Sequence, residues 1–243
     1  MKAVFVGAFA SFLPVCLAAA VWDNTQQRTF QVGNSPERRL VIENISGNIK
    51  VTGDSGRDIR LTVHEHFSAD TDTALTKARE EVRLEMTQEG DLVRVRLDDS
   101  FRSRDWGRDR EWWKDNDRRD RRERFEFRHD YEVKVPRDLN IALKTVNGKD
   151  LTVTDVDGEF NLQNVNGSIT LSGSSGYGRI RTVNGEVRVA FTRNPVRASS
   201  FETLNGTLDV TFRPDLNADL KLSTFNGEVY TDFEVTPMTL PVV

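Results

Sequence analysis

Three histidines, one acidic loop, one glycine-rich loop and one segment dense in arginine and tryptophan hold the side chains that could do chemistry in this chain. His64 and His66 are two residues apart on a strand, so both leave the same face, as two ligands of a metal would. No third ligand is evident nearby and Glu65 points to the opposite face, so the pair reads as surface histidines. Asp155-Val-Asp157-Gly158-Glu159 has the opening of a calcium loop but lacks the remaining oxygen ligands at the needed spacing, and it reads as a turn. Gly173-Ser-Ser-Gly-Tyr-Gly178 is neither a nucleophile elbow nor a dinucleotide loop and reads as a connection between strands. No catalytic residue, metal or cofactor is expected.

The arginine-rich segment is the strongest candidate for binding. Phe101 to Arg124 holds nine Arg, one Lys, seven acids and three Trp. Guanidinium forks match phosphate and carboxylate, and tryptophan faces stack on sugars or enter membrane interfaces. Trp106, Trp112 and Trp113 with Arg118, Arg119, Arg121 and Arg122 therefore form a candidate ligand-binding arm. Its expected ligand is an anionic envelope polysaccharide or a lipid headgroup, with another envelope protein as the alternative partner. Against this stands a solvated mixed-charge loop whose acids neutralise its own arginines. Strand patterns flank the segment at Leu92–Leu97 and from Phe125 to Pro136. The two are expected to pair, which would make the arm an exposed insertion.

The rest of the chain must position that arm. With 243 residues, 37% hydrophobic and 30% charged, the core is thin relative to the surface, which suits an extended fold. A net charge of −4 argues against nucleic acid as the partner. Lys2, the apolar run Ala3 to Leu17 and Ala18-Ala19-Ala20 read as a signal peptide over 1–20, too short to span a membrane comfortably. Cys16 is the only cysteine, and Leu13-Pro14-Val15 before it lacks the small residue that lipidation needs. Cleavage leaves a mature chain with no disulfide, no thiolate and no membrane span.

A repeat occupies the C-terminal half. Asn-Gly recurs at Asn147-Gly148, Asn166-Gly167, Asn184-Gly185, Asn205-Gly206 and Asn226-Gly227, at spacings of 19, 18, 21 and 21 residues. Four residues before each Asn lie Leu143, Leu162, Ile180, Phe201 and Leu222. Three after it lie Ile169, Val187, Leu208 and Val229, and seven after it Phe191, Phe212 and Phe233. A Thr column runs through Thr145, Thr182, Thr203 and Thr224. Leu40 to Gly53 aligns without gaps to Phe160 to Gly173, which makes it a detached first copy with Ser46-Gly47 at the corner.

Period-two alternation on both sides of Asn-Gly is strand, turn, strand. Two architectures satisfy it. Each pair could close a hairpin in an antiparallel meander. Alternatively each is a corner of a coil whose rungs stack in parallel. Matched columns favour the coil, because stacking rewards like over like. The expected fold is an all-β, parallel β-helix-like solenoid of about six rungs, with one short helix and an antiparallel hairpin inserted after the first. The Asn-Gly residues are expected to act as a structural turn ladder.

Tyr131-Glu-Val-Lys-Val-Pro136, Thr145-Val-Asn-Gly148 and Asn164-Val-Asn-Gly-Ser-Ile169 resemble the bacterial putative-adhesin domain family over residues 38 to 235. That resemblance implies an exported right-handed β-solenoid of unknown function and supplies no catalytic or binding residues. The organisation expected is a signal peptide at 1–20, N-terminal strands and first rung at 21–67, and inserted helix, hairpin and arm at 68–135. The repeat array follows at 136–235 and a tail at 236–243. The leading reading is a non-enzymatic periplasmic, cell-envelope or secreted protein that binds as an adhesin-like module. A structural or envelope-stress scaffold docking a partner through its solenoid edge is the second. A carbohydrate-active β-solenoid enzyme is the third, opposed by the mixed outward positions Lys144, Gln163, Arg181, Glu202 and Lys221.

Overall fold

A computed structural model describes residues 19–98 and 125–236. The chain is mostly strand, in two large sheets, with one short helix. The first sheet orders its strands β1-β4-β7-β3-β9-β11-β13-β15 and the second β14-β12-β10-β8-β2-β6-β5. In chain order these are β1 (Ala20–Gln31), β2 (Arg39–Glu43), β3 (Ile49–Asp54), β4 (Asp58–Ala69), α1 (Asp72–Glu81), β5 (Leu84–Glu89), β6 (Leu92–Leu97) and β7 (Phe125–Pro136). The repeats follow as β8 (Asn140–Lys144), β9 (Asp150–Thr154), β10 (Glu159–Gln163), β11 (Ser168–Ser174), β12 (Tyr177–Asn184), β13 (Val187–Phe191), β14 (Ser200–Asn205) and β15 (Leu208–Thr211).

Alternation decides which face of each strand is buried. β2 buries Leu40 and Ile42, β3 buries Ile49 and Val51, and β10 buries Phe160 and Leu162, while Val41, Lys50 and Asn161 between them turn outward. From β8 onward successive strands alternate between the two sheets, and each pairs in parallel with its counterpart one repeat away. Like residues therefore lie over like: Leu143, Leu162, Ile180 and Phe201 form one column, and Leu151, Ile169, Val187 and Leu208 another. The Asn-Gly pairs at Asn147, Asn166, Asn184 and Asn205 each carry the chain from one sheet to the other instead of closing a hairpin, so the antiparallel meander does not describe these repeats.

The detached first copy stacks directly on the array, with Leu40 beside Ile141 and Ile49 beside Leu151. The inserted residues pack on its other side, where β6 pairs with β2 and β7 with β3, both in parallel. β6 and β7 therefore belong to different sheets and do not pair with each other. The arm between them connects one sheet to the other instead of capping a hairpin. At this end the strands turn antiparallel: β1 with β4, β4 with β7, and β5 with β6. Helix α1 starts at its cap Thr71, whose hydroxyl accepts from Ala74 N–H at 3.1 Å, and buries Ala74 and Ala78.

Both sheets are thus mixed and open at their ends, and five strand pairs stand where six rungs were expected. Among the described residues, the copy around Asn226-Gly227 forms no strand. Its core positions lie in the open instead, with Leu222 56% and Val229 51% exposed.

Candidate functional site

The arm residues Trp106, Trp112, Trp113, Arg118, Arg119, Arg121 and Arg122 lie outside the described residues. The roots of the arm are described. Asp98, just past β6, donates its N–H to Arg83 O at 2.9 Å, and Phe125 opens β7 opposite Ala69. Below these roots the rings of Trp22 and Phe67 meet edge to face at 5.7 Å, and Phe67 and Phe127 stack at 6.1 Å. The Arg79 guanidinium lies 3.9 Å from the Trp22 ring centre. The arm therefore starts from a packed aromatic base.

The asparagine column is joined side chain to side chain. Asn166 Nδ2 donates to Asn147 Oδ1 at 3.0 Å, Asn184 to Asn166 at 2.8 Å, and Asn205 to Asn184 at 2.8 Å. A second column runs two residues before it, inside the stack. There Asn164 Nδ2 donates to Gly148 O, Thr182 Oγ1 to Gly167 O and Thr203 Oγ1 to Gly185 O, each at 2.9 Å. The corners at Asn166, Asn184 and Asn205 are thus each tied to the one before by two side chains. Glycine is required because the backbones touch: a Cβ on Gly167 (φ +148°) would lie 1.9 Å from Gly148 O.

The other sequence candidates resolve into local pairings. His66 Nδ1 meets Asp23 Oδ1 at 2.7 Å, and His64 Nδ1 meets Thr25 Oγ1 at 3.0 Å, both across the β1–β4 pair. Asp157 Oδ1 accepts from the Ser175 N–H at 2.9 Å and hydroxyl at 2.5 Å, tying adjacent connections together. Glu159 pairs with Arg39 at 3.2 Å. Outward along the second sheet, Glu43, Lys144, Gln163, Arg181 and Glu202 lie in register, so opposite charges neighbour one another. No cluster of metal-binding side chains occurs among the described residues.

The structure also assembles a buried polar group that sequence reasoning missed. Glu65 on β4 lies opposite Asn24 on β1 and His129 on β7, forming one row across the sheet. Asn24 Nδ2 and Gln26 Nε2 both donate to Glu65 Oε2 at 2.8 Å. His129 Nε2 stands 3.4 Å from Glu65 Oε1, long for a hydrogen bond and close for an ion pair. Burial pushes the Glu65 carboxyl up. The His129 ring and the two amides outweigh it and hold the group at about 2. Tyr131, one step along β7, is fully buried, and burial raises its hydroxyl with the Glu65 charge adding to the effect.

This row separates two apolar clusters. Val63 and Tyr131 belong to the main core, whereas Phe67 packs with Ala78, Val82 and Leu97 under the helix. An acid beside an imidazole is general-base equipment, but this one is enclosed and its ring is wholly buried, so substrate has no approach to it. The only sequence signal for it was a Glu on the inward face of an alternating strand.

No family model matches the sequence, and no curated protein matches it. Among solved structures the chain is similar to a "putative cell adhesion protein" from Clostridium sporogenes, at 8% identity and a TM-score of 0.47, covering 79% of this chain and all of that one. It is also similar to a "putative adhesin" from Bacteroides fragilis, at 10% identity and a TM-score of 0.22, over 77% and 97% of the two chains. Likenesses this low in both measures carry no argument about activity.

Proposed function

We propose that the protein is an exported, non-enzymatic envelope protein of adhesin-like type, a β-solenoid body bearing an arginine- and tryptophan-rich binding arm. The observation that carries this reading is the setting of the arm. Nine arginines and three tryptophans occupy a stretch inserted between Asp98 and Phe125, whose two ends are seated on different sheets. Such a stretch suits an anionic polymer or headgroup, which takes up both the charge and the ring faces. The resemblance of the repeat to the bacterial putative-adhesin domain family and the signal-like N-terminus support export. No described helix is long and apolar enough to cross a membrane.

The test compares the chain from Val21 with the same chain lacking residues 102–124. Both are offered vesicles of anionic phospholipid and, separately, an anionic polysaccharide. Binding that falls at least tenfold on deletion, and weakens as salt rises, supports the reading. Equal binding by the two chains overturns it. The second reading, a scaffold docking a partner protein by its edge, is favoured by one feature: β14 and β15 both end their sheets.

A further inference from the structure

β14 and β15 leave two sheet edges open at the same end of the stack, and no described strand pairs with their outer sides. Four observations identify what fits there. First, β12 pairs with β14 and β13 with β15 at an offset of 21 residues, and the same offset sets Phe201 against Leu222, Asn205 against Asn226, and Leu208 against Val229. Second, the bonding columns continue in kind. Each Thr or Asn two before a corner donates to the preceding Gly carbonyl, and each corner Asn donates to the preceding Asn. Thr224 and Asn226 are the same residue types, and in that register they would meet Gly206 O and Asn205 Oδ1. Third, Gly227 already holds φ +149°, the value of Gly167 (+148°) and close to that of Gly185 (+157°). Fourth, the connection leading to the segment is already laid on the one before it. Arg213 N–H donates to Asn194 Oδ1 at 2.8 Å, and Asn194 Nδ2 donates to Asp215 Oδ1 at 3.0 Å.

We propose that residues 219–234 are a strap that closes onto β14 and β15 of the same chain as a sixth strand pair. Closure pairs both open edges and covers Leu222 and Val229, which occupy columns where Ile180 and Val187 are fully buried. Open edges and exposed apolar side chains invite association with other chains. The strap therefore decides whether this end of the molecule is capped or available.

The test is register-selective crosslinking in the full chain carrying Cys16→Ser. Glu202 and Ser223 become neighbours on closure, as Arg181 and Glu202 are now. Adjacent strands lie about 4.8 Å apart, within reach of a disulfide. Glu202→Cys with Ser223→Cys is expected to oxidise within one chain at least tenfold faster than Glu202→Cys with Asn226→Cys, which is out of register. Similar rates for the two pairs would mean a loose tail and overturn the proposal. A disulfide formed mainly between chains overturns it too, in favour of a second copy at the edge. A second readout needs no cysteine: amide exchange across residues 220–224 is expected to be at least tenfold slower than in Leu222→Asp, and equal exchange sinks the closure.

Discussion

Glu65 and His129 face each other across the antiparallel β4–β7 pair, with Oε1 and Nε2 3.4 Å apart and the imidazole ring fully buried. The row they form lies between two apolar clusters, with Asn24 and Gln26 half-buried on its β1 side. The pairing makes a measurable contribution that depends on pH. Because the folded carboxyl sits at about 2, below its ordinary value of 4.5, it stabilises the fold fully above pH 4.5. That stabilisation is lost as pH falls toward 2. Relative to Glu65→Gln, the native chain is expected to lose on the order of 3 kcal/mol of unfolding free energy over that interval. Urea titrations at several pH values check this, and parallel curves for the two proteins would show that the carboxylate is not held low.

The asparagine ladder predicts a graded cost. Asn184 donates to Asn166 and accepts from Asn205, so Asn184→Ala removes two exposed amide bonds. Exposed bonds of this kind are worth about 1 kcal/mol net each at most, since water replaces them. Asn164 is different because it is buried, and its Nδ2 satisfies Gly148 O at 2.9 Å. Asn164→Leu leaves that carbonyl without its side-chain donor inside the corner and is expected to cost about 1–3 kcal/mol. Thermal unfolding should rank Asn164→Leu as more destabilising than Asn184→Ala.

Two glycines separate backbone angle from backbone contact. Gly90 turns the β5–β6 hairpin at φ +59°, and a Cβ there meets nothing within 4 Å. Gly90→Ala is therefore expected to cost only the left-handed conformation, about 1–2 kcal/mol. At Gly167 the added Cβ would strike Gly148 O, and the corner must move. Gly167→Ala is expected to exceed about 4 kcal/mol or to leave no folded protein. Equal midpoints for the two variants in urea would count against corner-on-corner contact.

Much of this architecture was legible because stacking writes the same residues at the same spacing. The Leu143, Leu162, Ile180 and Phe201 column, read from sequence, is a line of parallel partners. The inserted antiparallel hairpin was legible too, and it is β5 and β6. What escaped was non-local and unrepeated. β1 is a twelve-residue strand whose Asp23-Asn-Thr-Gln-Gln-Arg28 stretch is wholly polar, so alternation gave no signal. Its inward Asn24 and Gln26 are polar because they serve Glu65. The Glu65–His129 contact depends on the register of β4 against β7 across an insertion, and no periodicity encodes that register. The sixth repeat shows the opposite failure. Its pattern is complete, yet pattern alone does not determine whether a terminal copy is paired.

Phe191 and Phe212 carry the last prediction, because their rings stack at 5.5 Å and 13° while their burial differs. Phe191 is 5% exposed and also meets Phe160 and Phe201. Phe191→Ala should cost about 3–5 kcal/mol, the transfer and cavity terms together. Phe212 lies half-buried just past the edge strand, so with the strap open Phe212→Ala should cost about half as much. A double-mutant cycle is expected to assign about 0.5–1.5 kcal/mol to the ring pair itself. The closed strap changes the second figure, since the column would then place Phe233 over Phe212 as Phe212 now lies over Phe191. A cost for Phe212→Ala that matches Phe191→Ala would mean that Phe212 is fully covered in solution. Adding Leu222→Asp should then lower the cost of Phe212→Ala again, because a charge in the strap's core column opens it.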